Sequence, residues 1–114
     1  MEIEFYETES GLKPAMEFLD SLPPKLRAKM MRTVDLLERY GAALRSPESK
    51  ELDDGILELR ASLGTNAVRV LYFFMVGNKA ILTNGFVKKT QRTPRNEITL
   101  AKKYRSDYMR RNCL

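Results

Sequence analysis

The ten residues AVRVLYFFMV (67–76) are apolar at every position except Arg69. The run is far too short to span a bilayer, and it lacks the polar alternation of a strand with one wetted face. It reads as a central β-strand that is apolar on both faces, so the rest of the chain has to supply its neighbours. ILELRAS (56–62) puts Leu57, Leu59 and Ala61 on one face and Glu58 and Arg60 on the other. LGTN (63–66) is a turn between the two runs, and Gly77-Asn78 signals a hairpin into KAILTNGFV (79–87). IEFYE (3–7) alternates in the same way and is read as a first strand.

Between that strand and residue 41 the apolar period is 3.6 rather than 2. Leu12, Ala15, Met16, Leu19 and Leu22 fall at helical spacing, with Pro14 tolerated in the first turn. Leu26, Met30, Val34, Leu37 and Tyr40 form one side of a second, longer helix that Gly41 can cap, and Met16 and Met30 are read as core filler. RSPESKELDDG (45–55) reads as a polar loop. Thr93 and Pro94 are expected to be the N-cap and first residue of a last helix, with Glu97 favouring its dipole. Ile98, Ala101, Tyr104 and Tyr108 form that helix's apolar stripe. The expected order is β-α-α-β-β-β-α. This is one α+β domain over residues 1–114, in which two N-terminal helices and a C-terminal helix pack on an antiparallel sheet.

Charge narrows the function. Residues 88–114 hold nine Lys/Arg against two Asp/Glu, whereas the first 87 hold eleven against thirteen. That asymmetry points to a polyanion or an acidic protein as partner of the C-terminal quarter. The chain has no histidine, which excludes Ser–His and Cys–His nucleophiles and most zinc sites. Neither metal nor cofactor is expected. One cysteine, Cys113, rules out an internal disulfide and fits a reducing cytoplasm. The acidic start MEIEFYETE reads as neither signal nor transit peptide, and no membrane association is expected.

Arg69 has to find water or an anion within its apolar strand. On the sheet face opposite the helices it would join Arg60 from the neighbouring strand. Two convergent guanidiniums form a phosphate-sized site. The alternative is an Arg69–Glu58 cross-strand pair that serves only register. Glu58 either orients Arg60 or acts as a general base. Lys88 and Lys89 end the following strand, and by alternation only one can point into the cleft; periodicity does not say which. Tyr72 and Phe73 are read chiefly as core, with base stacking as the other option.

KELDDGILELR (50–60), VRVLYFF (68–74) and above all GFVKKTQRTPRNEITLA (85–101) resemble the phage-derived HigB-like branch of the RelE/ParE toxin superfamily. The resemblance implies a RelE-like fold and a type II toxin that enters the ribosome and cuts translated mRNA. A helix-turn-helix antitoxin would neutralise it and form with it a complex on operator DNA. Carried over by motif, Arg60, Arg69, Lys88 and Lys89 become active-site candidates, beside Glu58. Lys50 becomes an RNA or ribosome contact, as do Thr90, Gln91, Arg92 and Arg95 of the last block. The superfamily also includes gyrase inhibitors and catalytically inactive binding modules, and both remain alternatives.

Overall fold

The structure, a computed structural model, describes residues 1–112, and the lone Cys113 lies outside them. The elements follow in the order β1 (Glu2–Phe5), α1 (Pro14–Ser21), α2 (Pro24–Tyr40), β2 (Ser49–Asp53), β3 (Ile56–Leu63), β4 (Asn66–Met75), β5 (Lys79–Lys88) and α3 (Arg95–Asn112). Gly41 ends α2 at φ 56°, where a side chain would be strained, and donates its N–H to the Leu37 carbonyl. Tyr40 and Leu12, expected on apolar faces, are instead exposed, because α2 ends at Tyr40 and α1 starts after Leu12. No helix among the described residues is long and apolar enough to cross a membrane.

The five strands form one sheet in the order β1-β5-β4-β3-β2, with β4 at its centre as its composition requires. Two expectations need correction. The polar stretch read as a loop contains β2, an edge strand with little apolar surface to bury, so its composition hides it. The missed signal is Asp54-Gly55, a two-residue connection between paired Asp53 and Ile56 in which both residues have positive φ. The sheet is also not wholly antiparallel. β2 to β5 form an antiparallel meander, but β1 adds to the edge of β5 in parallel. Alternation of side chains says nothing about strand direction.

One face of the sheet, carrying Leu59, Val68, Val70, Tyr72 and Leu82, packs on α1 and α2 through Leu19, Leu26, Met30 and Leu37. The other face carries Ile56, Leu71, Phe73 and Ile81 and is covered by α3 through Ala101 and Tyr108. The face bearing the arginines is therefore not free of helix, as expected, but shared with α3. Tyr72 and Phe73 are both buried, and their rings pack edge-on against Phe74 and Tyr108. They belong to the core and offer no stacking platform.

β5 contains one more residue than its partner needs. Val70 faces Gly85 and Tyr72 faces Leu82, so Thr83 and Asn84 together oppose Leu71. The polar side chains in this bulge are buried but satisfied. Thr83 Oγ1 donates to the Leu71 carbonyl at 3.1 Å and to Asn84 Oδ1 at 2.7 Å. Asn84 Nδ2 donates to Glu97 Oε1 at 3.0 Å, tying β5 to the first turn of α3. Just past the bulge α1 approaches β5 so closely that a Cβ on Gly85 would lie 2.2 Å from the Phe18 ring. Gly85→Ala should therefore destabilise the protein by about 1–3 kcal/mol through overpacking. Urea denaturation measures this, and Phe18→Leu in the Gly85→Ala background should restore part of the loss.

The far end of α3 is clamped to the residue after β1. Tyr6 donates its hydroxyl to Asp107 at 2.5 Å and stacks on Tyr104, while Arg110 and Arg111 also donate to Asp107. The hydrogen bond from Tyr6, followed by that from Arg111, holds the Asp107 carboxyl down to about 2. Burial and then the bond to Asp107 push the Tyr6 phenol up to about 12. A carboxyl depressed from 3.8 to about 2 contributes stability above the higher value and loses it as pH falls through the lower. Near-ultraviolet circular dichroism of the Tyr6–Tyr104 pair should change in that window, and Tyr6→Phe should move the change to higher pH.

Candidate functional site

Arg60 and Arg69 face each other directly in the β3–β4 ladder. Like charges so placed repel, and the arrangement persists because Glu58 lies one step along the same face. Glu58 is 1% exposed. Its Oε2 accepts from Arg60 Nε at 3.0 Å and lies 3.7 Å from Arg69 Nε, and its Oε1 accepts from Thr93 Oγ1 at 2.6 Å. A buried carboxylate needs such partners to remain charged. The cross-strand Glu58–Arg69 pair expected as an alternative is thus present, but within a larger cluster.

Arg69 is 8% exposed. Its Nη1 donates to the Val68 carbonyl at 2.9 Å, whereas its buried Nε has no hydrogen-bond partner among the described residues. Burial lowers its proton affinity; Glu58 opposes that shift and Arg60 adds to it. The guanidinium stays charged all the same. This cation is held in place with one donor unmatched.

The bulge in β5 decides between the two lysines. Leu82 lies on the α1–α2 face, and simple alternation would return Phe86 and Lys88 to it. The extra residue turns them over, so Phe86 faces Arg69 and Lys88 faces Ala67, on the arginine side. Burial pushes the Lys88 amine down, and the charge of Arg69 adds to this, with smaller contributions from Arg60 and Lys50 and opposition from Glu58. Lys50 completes the group because it pairs with Glu58 across β2 and β3. Lys89 is exposed beyond the strand end and lies outside the cleft.

The cleft over these residues has a volume of about 620 Å³. Its floor is Lys50, Glu58, Arg60 and Lys88, and its rim is Thr90, Gln91, Arg92, Thr93 and Arg95. Thr90 Oγ1 donates to the Arg92 carbonyl at 2.7 Å and holds the rim loop in shape. Arg69 does not line this cleft but a neighbouring groove, and Arg60 lines both. The described residues contain no group of three or more His, Cys, Asp or Glu that could hold a metal ion.

Two expectations about charge and capping change here. α3 begins at Arg95, and the Pro94 carbonyl accepts from the Glu97 N–H at 3.1 Å. Thr93 does not cap the helix; its hydroxyl serves Glu58 instead. Thr93 is the residue of this site that sequence reasoning missed, since no local pattern reveals a bond to a strand 35 residues away. Much of the C-terminal positive charge is also engaged within the fold. Arg95 and Lys102 pair with Asp53, Arg105 with Asp54, Arg110 with Glu9 and Asp107, and Arg111 with Asp107.

Thr93→Val keeps the shape but leaves Glu58 Oε1 without its donor. A hydrogen bond to a charged group contributes about 1.5–3 kcal/mol, so chemical denaturation should reveal a loss of that order. Thr93→Ser should recover most of it.

No curated protein matches the chain. The model of the family described as Phage derived protein Gp49-like (DUF891) matches residues 17–106, which include every residue of the cleft. That family belongs to the RelE/HigB-like toxins, and the α+β fold is consistent with theirs. With most of its length matched, the chain belongs to the Gp49-like family of phage-derived proteins.

Proposed function

We propose that the protein is a type II toxin that acts as a metal-independent endoribonuclease on mRNA being translated. In this reading it works in the cytoplasm at the ribosome. A helix-turn-helix antitoxin neutralises it, and the pair binds operator DNA. The observation that carries the proposal is a cationic cluster beside an open cleft, in which Arg60 and Arg69 share one buried carboxylate and Lys88 and Lys50 stand alongside. Without histidine, such a site is better suited to positioning and charge stabilisation than to nucleophilic catalysis.

RNA can supply its own nucleophile. The 2′-hydroxyl loses its proton to solvent as it attacks the adjacent phosphorus, the bond to the 5′-oxygen breaks, and a 2′,3′-cyclic phosphate and a 5′-hydroxyl result. Glu58 takes only the Nε of Arg60, and no hydrogen bond among the described residues engages its Nη donors. Those donors, with Arg69 behind them, would stabilise the charge that builds on the phosphorane oxygens. Lys88, its amine lowered by burial and neighbouring cations, would give a proton to the departing 5′-oxygen. Glu58 orients the arginines, because both of its oxygens are occupied by donors.

Induction of the protein followed by mapping of mRNA 5′ ends tests the reading. Cleaved transcripts and halted translation are expected, whereas stalled replication with intact transcripts would identify a gyrase inhibitor. Arg60→Ala should lower cleavage by about 10²–10³, the effect of losing one donor to a developing oxyanion, and Arg69→Ala, which removes the charge behind it, should lower cleavage less. Lys88→Ala should abolish most activity and Lys89→Ala should leave it near that of the unaltered protein. The rate should fall as pH rises through the lowered Lys88 value, since only the ammonium form donates. Equal effects of the two lysine substitutions would contradict the assignment.

A further inference from the structure

Beyond Arg60, on the side away from the cleft, a second groove of about 720 Å³ lies between α2 and the ends of β3 and β4 that flank their turn. Lys29 and Arg32 of α2 form one wall, and Arg60 and Arg69 contribute to the other. Glu48 is the one acidic residue in its lining. Lys29 and Arg32 are exposed, and neither has an ion-pair partner among the described residues. The groove is therefore cationic: Arg60 and Arg69 share Glu58, but the charges of Lys29 and Arg32 are uncompensated, unlike those on the surface of α3.

The backbone on the two sides of the groove is tied together. Thr33, next to Arg32 on α2, is buried and donates its hydroxyl to the Arg60 carbonyl at 3.1 Å. The Arg60 N–H in turn donates to the Glu48 carbonyl at 2.9 Å. Helix, strand and loop are thus joined at the one residue that lines both depressions. With the backbone fixed in this way, only the Lys29 and Arg32 side chains remain to be ordered when a ligand arrives.

We infer that this groove seats the sugar–phosphate backbone of the RNA strand that the cleft holds, beyond the scissile phosphate. The strand runs from the cleft over Arg60 and along Lys29 and Arg32. No Phe, Tyr or Trp lines the groove, so it offers bases no stacking platform and engages phosphates without reading sequence. The inference rests on the proposed nuclease function, because it extends the same substrate.

The test uses the purified full chain and fluorescently labelled RNA oligonucleotides carrying 2′-O-methyl groups, which cannot be cleaved. One is short enough to fill the cleft alone, and one extends well past it on either side. Anisotropy is measured across a salt series for the unaltered protein and for Lys29→Ala/Arg32→Ala. Both substituted residues are exposed, and circular dichroism checks that the fold is retained. The long oligonucleotide should show the steeper salt dependence. The double substitution should reduce that slope by about 0.7 for each phosphate left without its cation, while leaving the short oligonucleotide unaffected.

An unchanged slope and affinity for the long oligonucleotide would overturn the inference, as would equal losses for both lengths. Loss of affinity for an acidic peptide but not for RNA would also overturn it, and would assign the groove to a protein partner. Failure of the nuclease reading looks different. There, the groove-dependent slope would persist while unmodified RNA on translating ribosomes went uncut.

Discussion

One surplus residue in β5 decides which side chains share a face with Arg60 and Arg69. Opposite Leu71 the strand has two residues, Thr83 and Asn84, and every side chain after them changes face relative to those before. The change aligns Phe86 and Lys88 with Arg69 and leaves Gly85 beneath the ring of Phe18. Asn84 reaches from the same bulge to Glu97 and so sets where α3 starts. Removing the extra residue would exchange Lys88 for its neighbours on the arginine face and unfasten the helix that forms the cleft's rim. Bulges of this kind re-aim side chains next to functional sites.

The cluster built on that frame is electrostatically costly. Two guanidiniums opposed across a ladder, with a lysine beside them, repel one another, and a single buried carboxylate offsets only part of the repulsion. Apolar residues at these positions would pack as well without the desolvation penalty. Arg69 is also left with a buried donor unmatched, as is Arg27, whereas the buried side chains of Thr83, Asn84 and Ser49 are satisfied. An excess of fixed positive charge around an open cleft is what an anionic substrate requires, and the fold tolerates it because Glu58 and Thr93 hold the geometry.

The distribution of ion pairs explains α3 in the same terms. Arg95, Lys102, Arg105, Arg110 and Arg111 find acids in the segment after β1, the β2–β3 hairpin or the helix itself. Their role is to fasten the helix across the sheet face. The cations with no ion-pair partner among the described residues include Lys88, Lys89 and Arg92 near the cleft and Lys29 and Arg32 along α2. Net charge along the chain therefore overstates the unpaired positive charge of the C-terminal quarter and overlooks that of α2.

Much was legible in the sequence alone. The doubly apolar run at 67–76 required a central strand, the change of period separated helices from strands, and Gly41 marked the end of α2. Alternation put Glu58 and Arg60 together, and the resemblance to RelE-like toxins pointed to the wider group to which the matched family belongs. Those features are local, since each depends on residues a few positions apart. The parallel pairing of β1, the placement of α3 on the arginine face, the choice of Lys88 over Lys89 and the bond from Thr93 to Glu58 were decided only in three dimensions. A bulge reverses alternation without leaving a mark in hydrophobic pattern, and because α3 begins at Arg95, Thr93 stands one residue before the cap position, with its hydroxyl free to donate to a distant buried carboxylate.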